Sequence, residues 1–572
     1  MKFSHLRLFF LRTIWHMDER LFLIAIAIFV GACGGLAAVA LNRLLFTLHE
    51  ILRPLHIHWY AFVLPACGAA LSSLFLGHIV KEGAGHGVPE VIYSVSKRGG
   101  LLRLRSSFSR LISSTLTIAS GGSAGPEAPV VMSGASIGSN VAKIFALNDR
   151  QRVTIVGCGA ASAISSIFNA PIAGIVFSVE VILGEWTTIN LIPIAIASVI
   201  GTEVSRLMQG NQIPFSHHRF NATLLDILAS VGIALLAGLS SVLFARLLNG
   251  TIKKSRDLVA HDWIRAALGG ACVGLLGLSF PSVLGEGYDV VRTIIENEYQ
   301  SGLLLVALAT VAKIVATSLT IGTGGSGGIF APCLVIGSLG GLAYQRGLAF
   351  FWPSVPWAEE GFFAMLGMAG VMSGTLQAPL TGIFLIVEVT GSYEVILPLI
   401  LVSAVSATLC HYMEPVSFYY RELVSQGQLL RPRTDARLLA DLNISELIEK
   451  DYIVVRENMR LRDMIPVIEQ ASRDYFPVED SKTGDFLGLI RLKDVRPYLF
   501  NPGLYDAVIL GEIMDTNVPH VSPFDDMKEV LELMDQTHSQ SLPVVHRNKF
   551  LGMVSKVTIL DRYRKELIVQ TY

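Results

Sequence analysis

Three short stretches of the chain combine closely spaced glycines with a proline at a predicted helix start. They read GAGHGVPEV at 83–91, GPEAPVV at 125–131 and GGIFAPCL at 327–334. Glycine lets backbone N–H groups approach a ligand closely, and proline suits the first turn of a helix. A helix N-terminus acts as about half a positive charge, so such starts hold an anion without a buried countercharge. The chemistry that these residues predict is anion binding by backbone dipoles.

A carboxylate stands inside the second stretch, at Glu127. Beside several N–H dipoles, a glutamate can act both as a tethered anion and as a proton carrier. A glutamate that only satisfies the helix dipole would make the same contact, so the structural and functional interpretations of Glu127 coincide. For any single glycine-rich stretch, close helix packing is the simpler explanation. Three stretches that all carry proline favour the anion site.

Two of the stretches belong to an internal repeat. GGSAGPEAPVVMSG at 121–134 returns as GGSGGIFAPCLVIG at 324–337, and Gly324 follows Gly121 by 203 positions. FNAPIAGIVFSVEV at 168–181 returns as LQAPLTGIFLIVEV at 376–389. Glycine-interrupted segments at corresponding places of two halves indicate a central substrate site built from broken helices. The repeat makes transport the first hypothesis.

The composition places most of the chain in a membrane. Mean hydropathy is +0.53, and only 16% of residues are charged, whereas about a quarter are charged in soluble proteins. Apolar stretches such as 21–41, 61–80 and 303–322 are close to the ~20 residues that a spanning helix needs. Segments 172–183 and 380–390 are too short to span and follow a proline, so we expect half-helices that begin inside the membrane.

Other features argue against competing classes of protein. The net charge of −1 gives no reason to expect nucleic acid as a partner. No pattern resembles a hydrolytic triad or a metal-binding His/Glu pair, so we expect neither an enzyme nor a metal site. The six cysteines lie singly in apolar or glycine-rich stretches, which predicts packing roles. Residues 1–20 interleave basic and apolar side chains without a cleavage site, which predicts a cytoplasmic amphipathic helix.

Around Gln426 the sequence changes to a polar and charged α/β pattern. YFPVEDSKTGDFLGLIRLKDV at 475–495 is answered by SLPVVHRNKFLGMVSKVTIL at 541–560, and amphipathic helices predicted at 460–472 and 526–537 precede the two copies. This strand-turn-strand-helix duplication resembles a pair of cystathionine-beta-synthase (CBS) domains, which fold together as one soluble module. Because it carries no export signal, we expect this module in the cytoplasm.

The membrane part resembles the CLC family of chloride channels and proton-coupled chloride exchangers over residues 20–430. The family motif Gly-Ser-Gly-Ile-Pro falls on 85–89, Gly-Arg/Lys-Glu-Gly-Pro on 125–129, and Gly-x-Phe-x-Pro on 328–332. The resemblance implies that Glu127 is the gate, whose carboxylate competes with the anion and swings away when protonated. It implies an anion site formed by Gly85, His86, Gly87, Val88, Pro89, Gly125, Ala128, Pro129, Gly328, Ile329, Phe330, Ala331, Pro332 and a late tyrosine, Tyr419.

The residues around the implied anion site depart from the family pattern in two places. His86 replaces a serine that offers its hydroxyl to the anion. Its imidazole either donates an N–H to the anion or points aside and fills space. Pro126 and Ala128 flank Glu127 in place of a basic residue and a glycine, which alters how freely the gate moves.

A third departure separates two mechanisms. Val181 stands where the resembling exchangers carry an acid that relays protons, and valine cannot carry a proton. The adjacent Glu180 and its repeat partner Glu388 are expected to be structural. We therefore favour passive chloride conduction gated by Glu127 over proton-coupled chloride exchange, although some exchangers also lack this acid. A divalent-cation transporter with CBS domains would need converging acids, and a sensor without transport would leave the glycine-proline breaks unexplained.

CBS pairs often bind adenine nucleotides through a Gly-x-x-Ser/Thr-x-x-Asp pattern. The first copy keeps Asp494 but has Arg491 at the hydroxyl position. The second copy keeps Ser555 but has Thr558 in place of the acid. Because each copy keeps one element, a structural and dimer-forming role is preferred over a nucleotide site, and no other cofactor is expected.

We predict an all-α polytopic membrane protein with an inverted internal repeat, followed by an α/β cytoplasmic CBS-pair domain. The resemblance implies a homodimer with one anion pore in each subunit, in a bacterial inner membrane with both termini in the cytoplasm. The predicted divisions are a helix at 1–20, a transport domain at 21–430 with halves at 21–206 and 224–430, a linker at 431–442, and a CBS pair at 443–572 with copies at 443–500 and 510–572.

Overall fold

The computed structural model describes residues 19–56, 59–81, 87–211, 215, 220, 223–425, 442–471 and 473–571. Contacts divide the chain into two units, residues 1–429 and residues 430–572. The amphipathic helix predicted at 1–20 and the linker predicted at 431–442 fall almost wholly outside the described residues, so both stay predictions.

The described part of the first unit is helical. Short 3₁₀ or π-helical turns lie at Trp59–Val63, Phe75–Val80, Ser178–Leu183, Pro281–Val283 and Tyr393–Val395. Its α-helices are α1 (Glu19–His56), α2 (Leu64–Leu74), α3 (Val88–Lys97), α4 (Ser106–Ala119), α5 (Glu127–Ile144), α6 (Asp149–Phe168), α7 (Pro171–Phe177), α8 (Thr188–Gln209), α9 (Leu224–Leu258), α10 (Asp262–Ser279), α11 (Tyr288–Ile295), α12 (Leu303–Gly322), α13 (Phe330–Phe351), α14 (Glu360–Leu376), α15 (Pro379–Thr390), α16 (Ile396–Met413) and α17 (Phe418–Ser425).

Several of these helices have the length and apolarity of membrane spans. Two shorter apolar segments, Pro171–Leu183 and Pro379–Thr390, each begin at a proline and are the predicted half-helices. Proline has a preset φ and no N–H, so it fits a helix start. The six segments of the described chain that are long and apolar enough to cross a membrane are Arg20–Leu55, Ala61–Val80, Asn190–Gln209, Leu224–Leu258, Leu303–Gly322 and Tyr393–Arg421.

The two copies of the repeat meet at their glycine-rich loops. The N–H of Gly125 donates to the carbonyl oxygen of Gly328 at 2.9 Å, and the N–H of Gly328 donates back to Gly125 at 2.6 Å. These two glycines are 203 positions apart, so each loop binds its own repeat counterpart. Two reciprocal bonds flank the bridge, from Ser123 N–H to Thr320 Oγ1 and from Ser326 N–H to Thr117 Oγ1.

Repeat-related helix pairs form the interior of the first unit. Helix α5 packs on α6, and α13 packs on α14 in the corresponding way. Helix α14 is buried along its whole length from Gly361 to Leu376, as expected for a helix that other helices surround. By contrast, α1 and α9 expose apolar side chains such as Phe46 and Leu228, which suits contact with lipid.

The second unit combines short strands with helices. Strand β2 pairs with β1 in parallel and with β3 antiparallel, and β4 pairs with β5 antiparallel. Its elements are β1 (Val455–Arg456), α18 (Leu461–Gln470), β2 (Tyr475–Glu479), β3 (Phe486–Arg491), α19 (Leu492–Leu499), α20 (Leu510–Ile513), α21 (Met527–Gln536), β4 (Ser541–His546), β5 (Lys549–Ser555) and α22 (Lys556–Thr571), with 3₁₀ turns at Ile444–Glu446 and Pro502–Leu504.

The two hairpins of the second unit share one register. Val478 lies opposite Gly488 in the first hairpin, and Val544 lies opposite Gly552 in the second. In both, the register shifts directly after the valine, which is typical of a β-bulge. The sequence duplication in this unit is therefore a structural duplication as well.

Candidate functional site

Two helix starts, one from each copy of the repeat, meet at the centre of the first unit. Helix α5 begins at Glu127 and α13 begins at Phe330. The first N–H groups of an α-helix have no partner within the helix, and the bridge between Gly125 and Gly328 brings both sets together. Every described residue at 125–129 and 328–332 is buried. The arrangement concentrates positive backbone field at one buried place.

Glu127 occupies this place. Its side chain is fully buried, and its Oε1 accepts a hydrogen bond from the Tyr288 hydroxyl. The N–H groups of Glu127 itself and of Ala331 face the carboxylate. The other oxygen, Oε2, has no partner with hydrogen-bond geometry in the described part of the chain. The carboxylate thus stands where the two helix starts would hold an anion.

Gly125 makes room for this conformation of the Glu127 side chain. A Cβ atom on Gly125 would lie 2.0 Å from Glu127 Oε2 and 3.0 Å from the Cβ of Ala331. Any larger residue at 125 would push the carboxylate away. The position of the carboxylate therefore requires glycine at 125.

Tyr419 contributes a hydroxyl to the same region. The residue lies in the first turn of α17, which packs on α3, and it is 1% exposed. Its hydroxyl has no hydrogen-bond partner among the described residues, and the electric field of Glu127 reaches it. A buried hydroxyl of this kind can donate to an anion.

The first glycine-proline stretch is described only from Gly87 onward. Gly87 has φ of 81° and comes directly before α3, whose first two residues are Val88 and Pro89. Val88 and Pro89 are buried. Gly85 and His86 lie outside the described residues, so both alternatives for the imidazole stay open predictions.

Sequence reasoning missed three charged or polar side chains near this centre. Tyr288, which binds Glu127, is the first residue of α11. Arg110 is 1% exposed and donates to Glu90 Oε1 at 3.0 Å. Lys313 is fully buried and donates to the carbonyl oxygens of Val283 and Gly285. An ionisable residue inside an apolar span is a signal of function, and Lys313 in α12 offered that signal.

Glu180 and Glu388 cap half-helices of the opposite repeat. Glu180 accepts from the N–H groups of Leu380 and Thr381 at 3.2 and 2.7 Å, at the start of α15. Glu388 accepts from Ile172 and Ala173 at 3.0 and 2.7 Å, at the start of α7. Carboxylates at helix N-termini are stabilising, so both residues have the structural role that the repeat predicts.

Val181 lies in the π-helical turn Ser178–Leu183 that continues α7. The side chain is buried and belongs to the main apolar core of the first unit. The position that carries a proton relay in the resembling exchangers is therefore filled here by packed hydrocarbon.

In the second unit, the carboxylate of Glu449 accepts hydrogen bonds from the two hydroxyl groups of the candidate nucleotide motif, those of Ser555 and Thr558. Ser555 Oγ donates to Glu449 Oε1 at 2.7 Å, and the Thr558 hydroxyl donates to the same oxygen. Tyr452 donates to Glu449 Oε2 at 3.3 Å, and Arg473 pairs with it at 3.1 Å. Burial, together with the negative charge of Glu449, raises the pKa of the Tyr452 hydroxyl.

The corresponding residues at the end of the first hairpin and in the helix after it, Arg491 and Asp494, make none of the contacts with Glu449 that are described above. Asp494 is half-buried on α19. Arg491 donates to Asp515 Oδ2 at 2.8 Å. The guanidinium at the hydroxyl position thus binds a carboxylate of its own chain.

Comparison with known proteins shows where these features recur. The family described as voltage gated chloride channel matches residues 67–411, and the CBS domain family matches residues 510–565. A ClcB-like protein of Ralstonia nicotianae is 32% identical over 420 residues, which cover 70% of this chain and 96% of that protein. The H(+)/Cl(-) exchange transporter ClcA of Vibrio cholerae is 33% identical over 357 residues, which cover 60% of this chain and 75% of that protein.

Solved structures share the fold. The crystal structure of a slow cyanobacterial Cl-/H+ antiporter superposes with a TM-score of 0.65 at 24% identity, and covers 72% of this chain and 99% of its own. A eukaryotic CLC transporter superposes with a TM-score of 0.65 at 18% identity, and covers 94% of this chain and 98% of its own. The predicted fold class is confirmed: this chain belongs to the CLC family and carries a C-terminal CBS domain.

Proposed function

We propose that this protein carries chloride across a membrane in exchange for protons, with Glu127 as the residue that both ions use. The observation that supports this most directly is the position of the Glu127 carboxylate, at the point where two helix N-termini from the two repeats meet. A carboxylate and chloride compete for the same backbone N–H groups, so only one of them can occupy the site at a time.

Protonation decides which of the two occupies it. The ionised carboxylate is attracted to the helix starts as an anion is. A proton removes that charge, so the neutral side chain loses its advantage over chloride and the path opens. The same proton then travels with the side chain, and this couples the two ions.

The two mechanisms weighed from the sequence keep separate support. The relative of Vibrio cholerae that is named an H(+)/Cl(-) exchange transporter favours coupled exchange. The buried valine at 181 favours passive conduction, because the chain offers no acid at that position. Since Glu180 is engaged in capping α15, coupled exchange requires protons to reach Glu127 by water rather than by a relay carboxylate.

A flux measurement in reconstituted vesicles tests the proposal. An outward chloride gradient is imposed without a proton gradient, and proton movement is followed with an internal pH dye. Coupled exchange predicts uphill proton movement that stops when the chloride gradient is removed. Chloride flux without any proton movement would leave passive, Glu127-gated conduction as the function, and failure of halide to cross would refute anion transport itself.

Further proposals concern assembly and location. We infer a homodimer with one anion path in each subunit, in a bacterial inner membrane with both termini in the cytoplasm. Chemical crosslinking of the full chain in native membranes tests the dimer. Protease protection of the second unit in sealed right-side-out and inside-out vesicles tests the placement of the C-terminus.

For the CBS unit we propose a structural role rather than nucleotide binding. Ser555 and Thr558 already bind the Glu449 carboxylate, so a phosphate would have to displace a half-buried group that also contacts Tyr452 and Arg473. Thermal unfolding of the full chain with and without ATP tests this proposal, and a rise in midpoint that saturates with ATP would contradict it.

A further inference from the structure

The second copy of the repeat carries its own Gly-x-Gly loop. Gly285, Glu286 and Gly287 precede α11 in the way that residues 85–87 precede α3. Gly87 and Gly287 both have left-handed backbone, with φ of 81° and 83°, which favours glycine. The second loop is therefore the repeat counterpart of the first anion motif, with glutamate in place of His86 and tyrosine in place of Val88.

A buried lysine fixes this second loop. Lys313 Nζ donates to the carbonyl oxygens of Val283 at 3.0 Å and Gly285 at 3.1 Å. A Cβ atom on Gly287 would lie 2.9 Å from Val335 and 3.3 Å from Lys313 Nζ. Lys313 lies 203 positions after Arg110, the buried cation that donates to Glu90 on α3, so both repeats carry a buried cation at the corresponding position.

Tyr288 directly follows this loop, as the first residue of α11. Its ring contacts Phe168 edge-on at 6.5 Å between centroids and Phe215 at 6.0 Å, and its hydroxyl donates to Glu127 Oε1. Because contacts hold both the loop and the ring, the Tyr288 hydroxyl is directed at Glu127. A hydrogen bond from a neutral hydroxyl to an ionised carboxylate is stronger than one between two neutral groups.

Tyr288 also lines an adjoining cavity. The cavity has a volume of about 630 Å³, and Glu286, Tyr288 and Asp289 line it together with Asn42 and His49 of α1. Tyr288 thus separates the cavity from Glu127, and release of the tyrosine would let the carboxylate move toward the cavity.

We propose that Tyr288 is a positioning residue that latches Glu127 in the place where it blocks the anion path, and that Lys313 holds the loop that carries the latch. The inference rests on the proposed role of Glu127 as the gate. Among the described residues, the charge of Glu127 also acts on Glu286 before α11, Cys333 on α13 and Tyr419 on α17. Asp289 and Lys313 act on Glu286 in turn.

The test compares chloride flux as a function of pH for wild type and Tyr288→Phe, each as the full chain in vesicles. Phenylalanine keeps the ring contacts and removes only the hydroxyl, so the blocked state loses one bond to a charged acceptor. We expect about a ten- to hundredfold shift of the gate toward the open state, and half-maximal flux at a pH about one to two units higher.

Two controls separate the latch from a packing role. Tyr344→Phe also removes a tyrosine hydroxyl, one that donates to the Ala229 carbonyl oxygen at 2.9 Å away from Glu127, and should keep the wild-type profile. In a Glu127→Ala background, Tyr288→Phe should produce no further change. Lys313→Gln should shift the profile in the same direction as Tyr288→Phe, and the Tyr288 variants decide alone if it does not fold.

The outcomes are distinguishable. A wild type that conducts chloride together with an unchanged Tyr288→Phe profile overturns the latch and leaves the proposed function intact. A shift that persists without Glu127 also overturns the latch, because the hydroxyl would then act elsewhere. A wild type that moves no chloride overturns the proposed function and the latch with it.

Discussion

The two copies of the repeat have the same backbone at the centre and different side chains. Glu127 begins α5, and Phe330, 203 positions later, begins α13. The loops before both helices bind each other through Gly125 and Gly328. The positive field at the site is therefore a property of the duplicated backbone, whereas the carboxylate of Glu127 is one side chain in one copy. Under the proposed function, the symmetrical scaffold holds the anion and the single carboxylate makes anion passage depend on protons.

The two copies also differ in what their buried cations bind. Each copy places a buried cation, Arg110 or Lys313, near a Gly-x-Gly loop. Arg110 pairs with Glu90, whose side chain is 46% exposed, whereas Lys313 binds backbone carbonyls. Arg110 thus binds a side chain on α3, whereas Lys313 holds the loop before α11, whose first residue, Tyr288, binds Glu127.

The largest expected effect comes from removing the carboxylate of Glu127, which only the first copy has at its helix start. Glu127→Ala leaves both helix starts without a competing carboxylate. Chloride flux should persist and lose its dependence on pH, because no group remains at the site to gain or lose a proton. Proton movement in the vesicle assay should fall to background. Flux that still rises steeply on acidification would place the gate on another residue.

Replacing each of the two bridging glycines by alanine tests the difference between the two copies. Gly125→Ala places a methyl group 2.0 Å from the gating carboxylate, which must move away. Loss of its contacts should raise chloride flux near neutral pH by about tenfold. Gly328→Ala places its methyl 3.0 Å from Ala128 instead, so the pH profile should change little while stability falls.

Equal pH profiles for the two glycine variants would contradict this account, because both would then act only through the backbone bridge. Size-exclusion profiles of the purified variants establish that each remains folded before flux is compared.

A smaller effect is expected at Val181, where both repeats have valine after glutamate, as in Glu388-Val389. Val181→Glu adds a carboxylate within the apolar core and gives protons a relay that the wild type lacks. The number of protons moved for each chloride should rise, as read from the reversal potential. Val181→Gln has nearly the same shape without the charge and should leave the ratio unchanged. A ratio insensitive to both changes would mean that protons take a route away from position 181.

The smallest effects concern the reciprocal caps. Glu180 accepts three hydrogen bonds from Leu380 and Thr381, and Glu388 accepts two from Ile172 and Ala173. Glu180→Gln and Glu388→Gln should each lower the free energy of unfolding by about 1 kcal/mol, with the larger loss at Glu180. Thermal unfolding in detergent measures this. If Glu180→Gln slowed proton movement at unchanged stability, a relay role would replace the structural one.

Much of the candidate site could be predicted from local sequence. Glycine and proline spacing marks helix starts, because those residues act on the backbone within one turn. That was enough to predict the helix starts at 125–129 and 328–332, the carboxylate of Glu127 between them, and a structural role for Glu180 and Glu388. In the second unit, alternating strands and polar turns predicted the two hairpins for the same local reason.

The sequence by itself determined the duplication, the apolar spans and the family, since all three are written in spacing and composition. Only the tertiary structure decided that Tyr288 binds Glu127 and that Lys313 holds the loop before Tyr288. It also decided that Glu449 binds the hydroxyl groups of Ser555 and Thr558. These contacts join residues far apart in the chain. Which distant side chains meet depends on how helices and hairpins pack, and no local spacing encodes that.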